Sequence, residues 1–327
     1  MRRTSAVLLS ATVVALGLPA TGSAAAETAA SGCAVSTLPN PADGTATVTA
    51  MAGTTTFYGS VSPGADTGSG VVWQGGEITD TLAFSPTDAN ASGVLIGYRY
   101  ATDTGWSYPV GQRPGEQPED IGSAQDSVYE INDAGTYVGR GTVGNWPYYF
   151  SIAFAGSADT WSGYVLESSL DVPVAAVAVD DNRNVLGRSD YDRDGVPTAA
   201  VWRGGTSGAP QDLGPADELA PRDIDAGTVL VNRTVHDDIA LIDIVSGDVT
   251  AVPGSTGYRA FFLKNGTILA DGAGGYALFR GDTRVDLTPP TGSTITAVGA
   301  LSADGTTVGG QTRTSAGTLV PTVWRCG

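Results

Sequence analysis

The sequence predicts an all-β fold, a seven-bladed β-propeller of four-stranded antiparallel blades, closed by an N-terminal strand that completes the last blade. Three observations predict it. A short phrase recurs seven times at the spacing of one blade, no helical periodicity interrupts the copies, and the only two cysteines flank the repeats.

The phrase is an apolar strand end, a polar turn with Gly or Asn, and a short strand closing on a small residue. It reads INDAGTYVG at 131–139, VDDNRNVLG at 179–187 and LSADGTTVG at 301–309. Weaker copies are MAGTTTFYG at 51–59, ANASGVLIG at 89–97, IDAGTVLV at 224–231 and LKNGTILA at 263–270. Successive copies end about 38 to 48 residues apart, the length of one four-stranded blade. Asp/Asn-Gly turns between apolar runs are hairpin signals. The phrase therefore supplies strands A and B.

A variable loop and a second apolar strand follow, ending in an aromatic: GVVW at Trp73, AAVW at Trp202, YALF at Phe279 and PTVW at Trp324. This is strand C. A Gly turn (QGG, RGG or RGD) leads to a short strand D reaching Leu82, Ile121, Leu213 or Leu287. The last repeat stops at Trp324-Arg325-Cys326-Gly327 without a strand D. Residues 33–39, CAVSTLP, have the shape of the missing strand and precede the first repeat, which begins near residue 45. Pairing them into the last blade closes the ring. In an exported chain Cys33 and Cys326 then form a disulfide. The competing reading is a lipid anchor on Cys33, from the faint lipobox ASGC.

The phrases INDAGTYVG and LSADGTTVG, each followed by a strand ending in Trp, resemble the extracellular HAF-type repeats of secreted bacterial propeller-like proteins. The His-Ala-Phe triplet itself is replaced by VVW, AVW, TVW and ALF. The resemblance implies a secreted all-β propeller and supplies no catalytic residues.

Residues 1–26 read as a signal peptide, with Arg2 and Arg3, an apolar run over 6–18, the breakers Pro19 and Gly22, and Ala24-Ala25-Ala26 for cleavage. Residues 27–327 are then one propeller domain, secreted and monomeric. Cleavage removes two arginines and no acid, taking the formal charge of −17 to −19. Such a surface repels nucleic acid and anionic membranes. No later stretch has the roughly 20 apolar residues of a membrane helix.

Candidate chemistry is sparse. DYDRDG at 190–195 presents Asp190, Asp192 and Asp194 before a turn glycine, an oxygen donor set suited to Ca²⁺. Position 201 is Val where an EF-hand needs Glu, and the alternative is a solvated hairpin tip. The B–C loops of blades two and three carry Trp106, Tyr108, Trp146, Tyr148 and Tyr149. Trp106, Trp146 and Tyr148 are the candidates for stacking a ligand. Tyr108 and Tyr149 are expected to pack between blades. His236 is the only histidine and Lys264 the only lysine. GRGTVG at 139–144 lacks a following helix, and RGD at 280–282 is explained as a C–D turn. Nucleophile-elbow and zinc motifs are missing from the sequence. The preferred reading is a binding or scaffold propeller with a glycan or protein ligand on the B–C rim, assisted by calcium. The alternative is an extracellular polysaccharide hydrolase or lyase using carboxylates at the channel mouth.

Overall fold

The computed structural model describes residues 32–62, 68–124, 126–145, 148–166, 174–189, 198–205 and 210–327; the side chains of 143–145, 148–150, 174 and 189 are not described. Seven four-stranded antiparallel sheets make up the chain from Gly32 to Gly327.

Blade 1 is built from Thr45–Ala52, Thr56–Ser62, Gly70–Gln74 and Glu77–Leu82. Blade 2 uses Ser85–Ala89, Leu95–Ala101, Trp106–Gln112 and Glu119–Asp120. Blade 3 uses Ser127–Ile131, Thr136–Asn145, Tyr148–Ser157 and Ser162–Val165. Blade 4 uses Val174–Val179, Val185–Ser189, Thr198–Trp202 and Gln211–Pro215. Blade 5 uses Leu219–Asp225, Thr228–Arg233, Asp238–Asp243 and Val249–Ala251. Blade 6 uses Tyr258–Lys264, Thr267–Gly272, Gly275–Arg280 and Thr283–Asp286. Blade 7 has Ser293–Leu301, Thr307–Thr314 and Leu319–Cys326, with Cys33–Thr37 as its outer strand. Consecutive blades touch through their A strands, and blade 1 touches blade 7, so the ring is closed. The only helical turn among the described residues is Arg203–Gly205.

Closure occurs at the predicted seam. Cys33 faces Cys326 and Thr37 faces Thr322 in antiparallel register, and a disulfide joins the two cysteines. That bond uses the thiol a lipid anchor at Cys33 would need. Arg280, the first residue of the RGD turn, donates to the carbonyls of Gly305, Cys326 and Gly327. Its guanidinium therefore serves the seam.

The recurrent phrase has a physical reason in each of its parts. Its Asn or Asp caps its own turn and also hooks the next blade. Asn132 Oδ1 accepts from the Thr136 amide at 2.7 Å, while its Nδ2 donates to the Asp180 carbonyl at 2.6 Å. Asn90 does the same toward Asn132. Asp180 accepts from the amides of Asn184 and Gly227, both at 2.8 Å. Each such bond contributes roughly 0.5–1.5 kcal/mol, more where the acceptor is charged. The closing glycine makes room for an aromatic: a Cβ on Gly187 would lie 2.4 Å from the Trp202 ring, and one on Gly59 2.6 Å from Trp73. Blade 5 shows the converse, with Ile242 in place of the Trp and Val231 in place of the Gly.

Trp73, Trp202, Trp324 and Phe279 are fully buried between blades. The indole N–H groups of Trp73 and Trp324 donate to Pro39 and Thr288, each just beyond the D strand of the preceding blade. Truncating such a side chain costs roughly 3–5 kcal/mol.

Candidate functional site in the central channel

Strand A of every blade lines the channel, and every A–B pair carries an extra residue, that of blade 7 a second one at Thr296. The register breaks at Thr49, Thr87, Tyr129, Val177, Arg222, Phe261 and Gly299 in blades 1 to 7. A bulge bends the strand and re-aims its side chains. All seven bulge residues line one cavity of about 160 Å³ at the centre of the ring.

The residue after the bulge is acidic in three blades: Asp88, Glu130 and Asp223. Strand A of blade 6 ends on Lys264, which reaches across the channel. Its Nζ donates to Glu130 Oε1 and lies 3.9 Å from Asp223 Oδ1. The carboxylates also hold the neighbouring blades. Asp88 accepts from the Ile131 amide at 2.8 Å, Glu130 from Val179 at 3.0 Å, and Asp223 from Leu263 at 2.6 Å and Ile224 at 2.8 Å.

Three carboxyl groups around one ammonium cannot all ionise cheaply. Burial and then the Glu130 charge raise the Asp88 pKa to about 7, against the opposing pull of Lys264 and two amides. Asp88 is half-buried in the channel wall. Asp223 is pushed well above the usual carboxylate range by the same two causes. Burial alone would lower the Lys264 pKa, but the charges of Asp223, Glu130 and Asp88 hold it well above the ordinary lysine value. The cluster is a plug of committed oxygens, suited to holding blades together.

Two of the bulge residues carry large exposed rings. Tyr129 and Phe261 are 41% and 37% exposed, high values for large aromatic groups in a channel wall. The Phe261 ring lies 6.4 Å from that of Tyr276, one residue after the start of strand C in blade 6. Phe261 therefore leans toward the rim that carries the B–C loops.

Among the described residues, the predicted Trp106 and Tyr108 lie in strand C of blade 2, next to that rim. Trp106 begins strand C of blade 2 and is 52% exposed; Tyr108 is half-buried. Tyr148 pairs with Asn145 in backbone register, and its side chain, like that of Tyr149, is not described. Trp146 and the trio Asp190, Asp192 and Asp194 lie outside the described residues. The B–C position of the trio's loop follows from the flanking strands Val185–Ser189 and Thr198–Trp202. Exposed His236 lies in the B–C turn of blade 5, which the Arg233–Asp238 ion pair closes at 2.6 Å. GRGTVG is the interior of strand B of blade 3. Asp88, Glu130, Asp223, Tyr129, Arg222 and Phe261 carry no motif that marks them in the sequence, and Lys264 stands out there only as the lone lysine.

No protein-family model matches the chain, and no curated protein is similar to it. Solved structures share its fold. The β-propeller domain of the Trilobed protease from Pyrococcus furiosus, described as having an open velcro topology, is similar over 85% of this chain and 93% of its own, at 10% identity and a TM-score of 0.61. The uncomplexed acylaminoacyl peptidase of Pyrococcus horikoshii is similar over 86% of this chain, at 10% identity and a TM-score of 0.60. The match takes in 52% of that peptidase, so this chain spans about half its length. At such identity the likeness defines the fold class alone. The protein is a seven-bladed β-propeller with a disulfide at the seam, a charged plug in its channel and an aromatic mouth on one side.

Proposed function

We propose that the protein is an exported binding propeller whose ligand docks at the B–C mouth of the channel. One observation carries this reading: Tyr129 and Phe261 present exposed rings to the channel and Phe261 leans toward the B–C rim, beside carboxylates already bonded to neighbouring blades. Exposed aromatic groups around a concavity are binding anchors. Exposed Trp106 extends the surface outward; Trp146 and Tyr148 are the further stacking residues of this reading, and Asp190, Asp192 and Asp194 its calcium ligands. In this reading the ligand is a glycan or a protein, and the expected signal peptide at 1–26 and the resemblance to HAF-type repeats support a secreted location. The disulfide suits an oxidising compartment.

The alternative, a polysaccharide hydrolase or lyase, needs a free carboxylate as nucleophile or base. Each channel carboxylate accepts from a backbone amide of the next blade, and Glu130 from Lys264 as well, which favours the binding reading. The test is a glycan and peptide array probed with the chain from residue 27 onward, with and without calcium, plus product analysis. A retained ligand without turnover supports binding. Turnover that Glu130→Gln abolishes would replace it with catalysis.

A further inference from the structure

The body of the protein is acidic, with 34 acids against 17 lysines and arginines, yet the B–C mouth collects arginines from three consecutive blades. Arg188 lies in strand B of blade 4, Arg222 is the bulge of blade 5, and Arg259 lies in strand A of blade 6. Strand A of blade 5 packs against both of the other two strands. All three side chains are exposed. Among the described residues, neither Arg222 nor Arg259 makes a salt bridge. After burial, the neighbouring charges of Arg188 and Arg259 lower the Arg222 pKa, and Asp271 opposes them. Asp271 faces Arg259 in the A–B register of blade 6. Asp271 thus stands beside both Arg222 and Arg259, and Phe261 with Tyr276 forms an aromatic wall beside them.

A guanidinium is a planar fork whose shape matches a carboxylate, and an aromatic face stacks against a sugar ring. We infer that this mouth binds a carboxylated sugar of an acidic glycan, the carboxylate held by Arg222 and Arg259 and the sugar ring against Phe261. The inference rests on the binding reading above and names the ligand class for the same site.

Calorimetric titration tests it, with oligogalacturonate and oligomannuronate as probes beside methyl-esterified oligogalacturonate, a neutral cello-oligomer and a polyglutamate peptide. The expected result is binding of an acidic oligomer and at least about tenfold weaker binding of the ester, the worth of one charge-assisted hydrogen bond. Arg222→Gln and Phe261→Ala should each weaken binding by a similar factor with an unchanged melting temperature, since both side chains are exposed. Equal affinity for acid and ester, or an unaltered Arg222→Gln, overturns the carboxylate inference and leaves the binding reading standing. Preference for polyglutamate makes the partner a peptide and overturns the glycan inference. Silence toward every probe overturns this inference, and silence across the whole array overturns the binding reading with it.

Discussion

Lys264 of blade 6 donates to Glu130 of blade 3, 134 residues away and across the channel. The Lys264 side chain is 25% exposed and that of Glu130 12%. Breaking a buried pair strands its partner and costs about 3–5 kcal/mol. Lys264→Met should lower the unfolding free energy measured in urea by that order, and adding Glu130→Gln should recover part of the loss. An unmoved midpoint in the single variant would show that the plug does not hold the ring.

Asp88 links the plug to pH. Its pKa rises from 3.8 to about 7 on folding. Between those values the folded chain keeps a proton that the unfolded chain has released. Stability must therefore fall as pH rises through that window, by at most ~1.4 kcal/mol per unit for one group. Asp223 acts in the same direction. Asp88→Asn, which retains an acceptor for the Ile131 amide, should flatten the pH dependence of the denaturation midpoint between about pH 4 and pH 7. Parallel curves for the two proteins would refute it.

Gly187 and Trp202 form a second testable pair. An added Cβ meets the indole at 2.4 Å and the Ala175 carbonyl at 2.8 Å. Gly187→Ala should destabilise by roughly 1–3 kcal/mol, the usual range for overpacking. Its effect should shrink in a Trp202→Ile background, as blade 5 implies with Val231 and Ile242. A double-mutant cycle measures the difference; strict additivity would assign the whole effect to the carbonyl.

Removing the seam disulfide by Cys33→Ser with Cys326→Ser should cost about 2–5 kcal/mol. Hydrogen exchange should speed up first at Cys33–Thr37 and its partner Leu319–Cys326. Uniform acceleration around the ring would mean that closure is shared by all blades rather than borne at the seam.

The sequence revealed what turns and large aromatics write into it. Asn132, Asp180, Gly187 and Trp202 recur because each is needed where neighbouring blades meet, so the blade count and even the closing strand could be read. The bulges left no trace, since the extra residue is Thr, Tyr, Val, Arg, Phe or Gly. An inserted residue in strand A needs no particular side chain. Lys264 could be seen to be alone of its kind, but its partner Glu130 becomes a neighbour only once three blades separate them around a circle. The arginines of the mouth were hidden similarly, one per blade and each unremarkable in its own segment.

The Cys33–Cys326 bond also gives the molecule a mechanical character. The bond spans a sequence separation of 293. A pull applied between Gly32 and Gly327 passes through one covalent S–S link and leaves the seven sheets slack. Under tension, the protein behaves as a short tether bearing an unloaded ring, which keeps its shape until that single link is reduced.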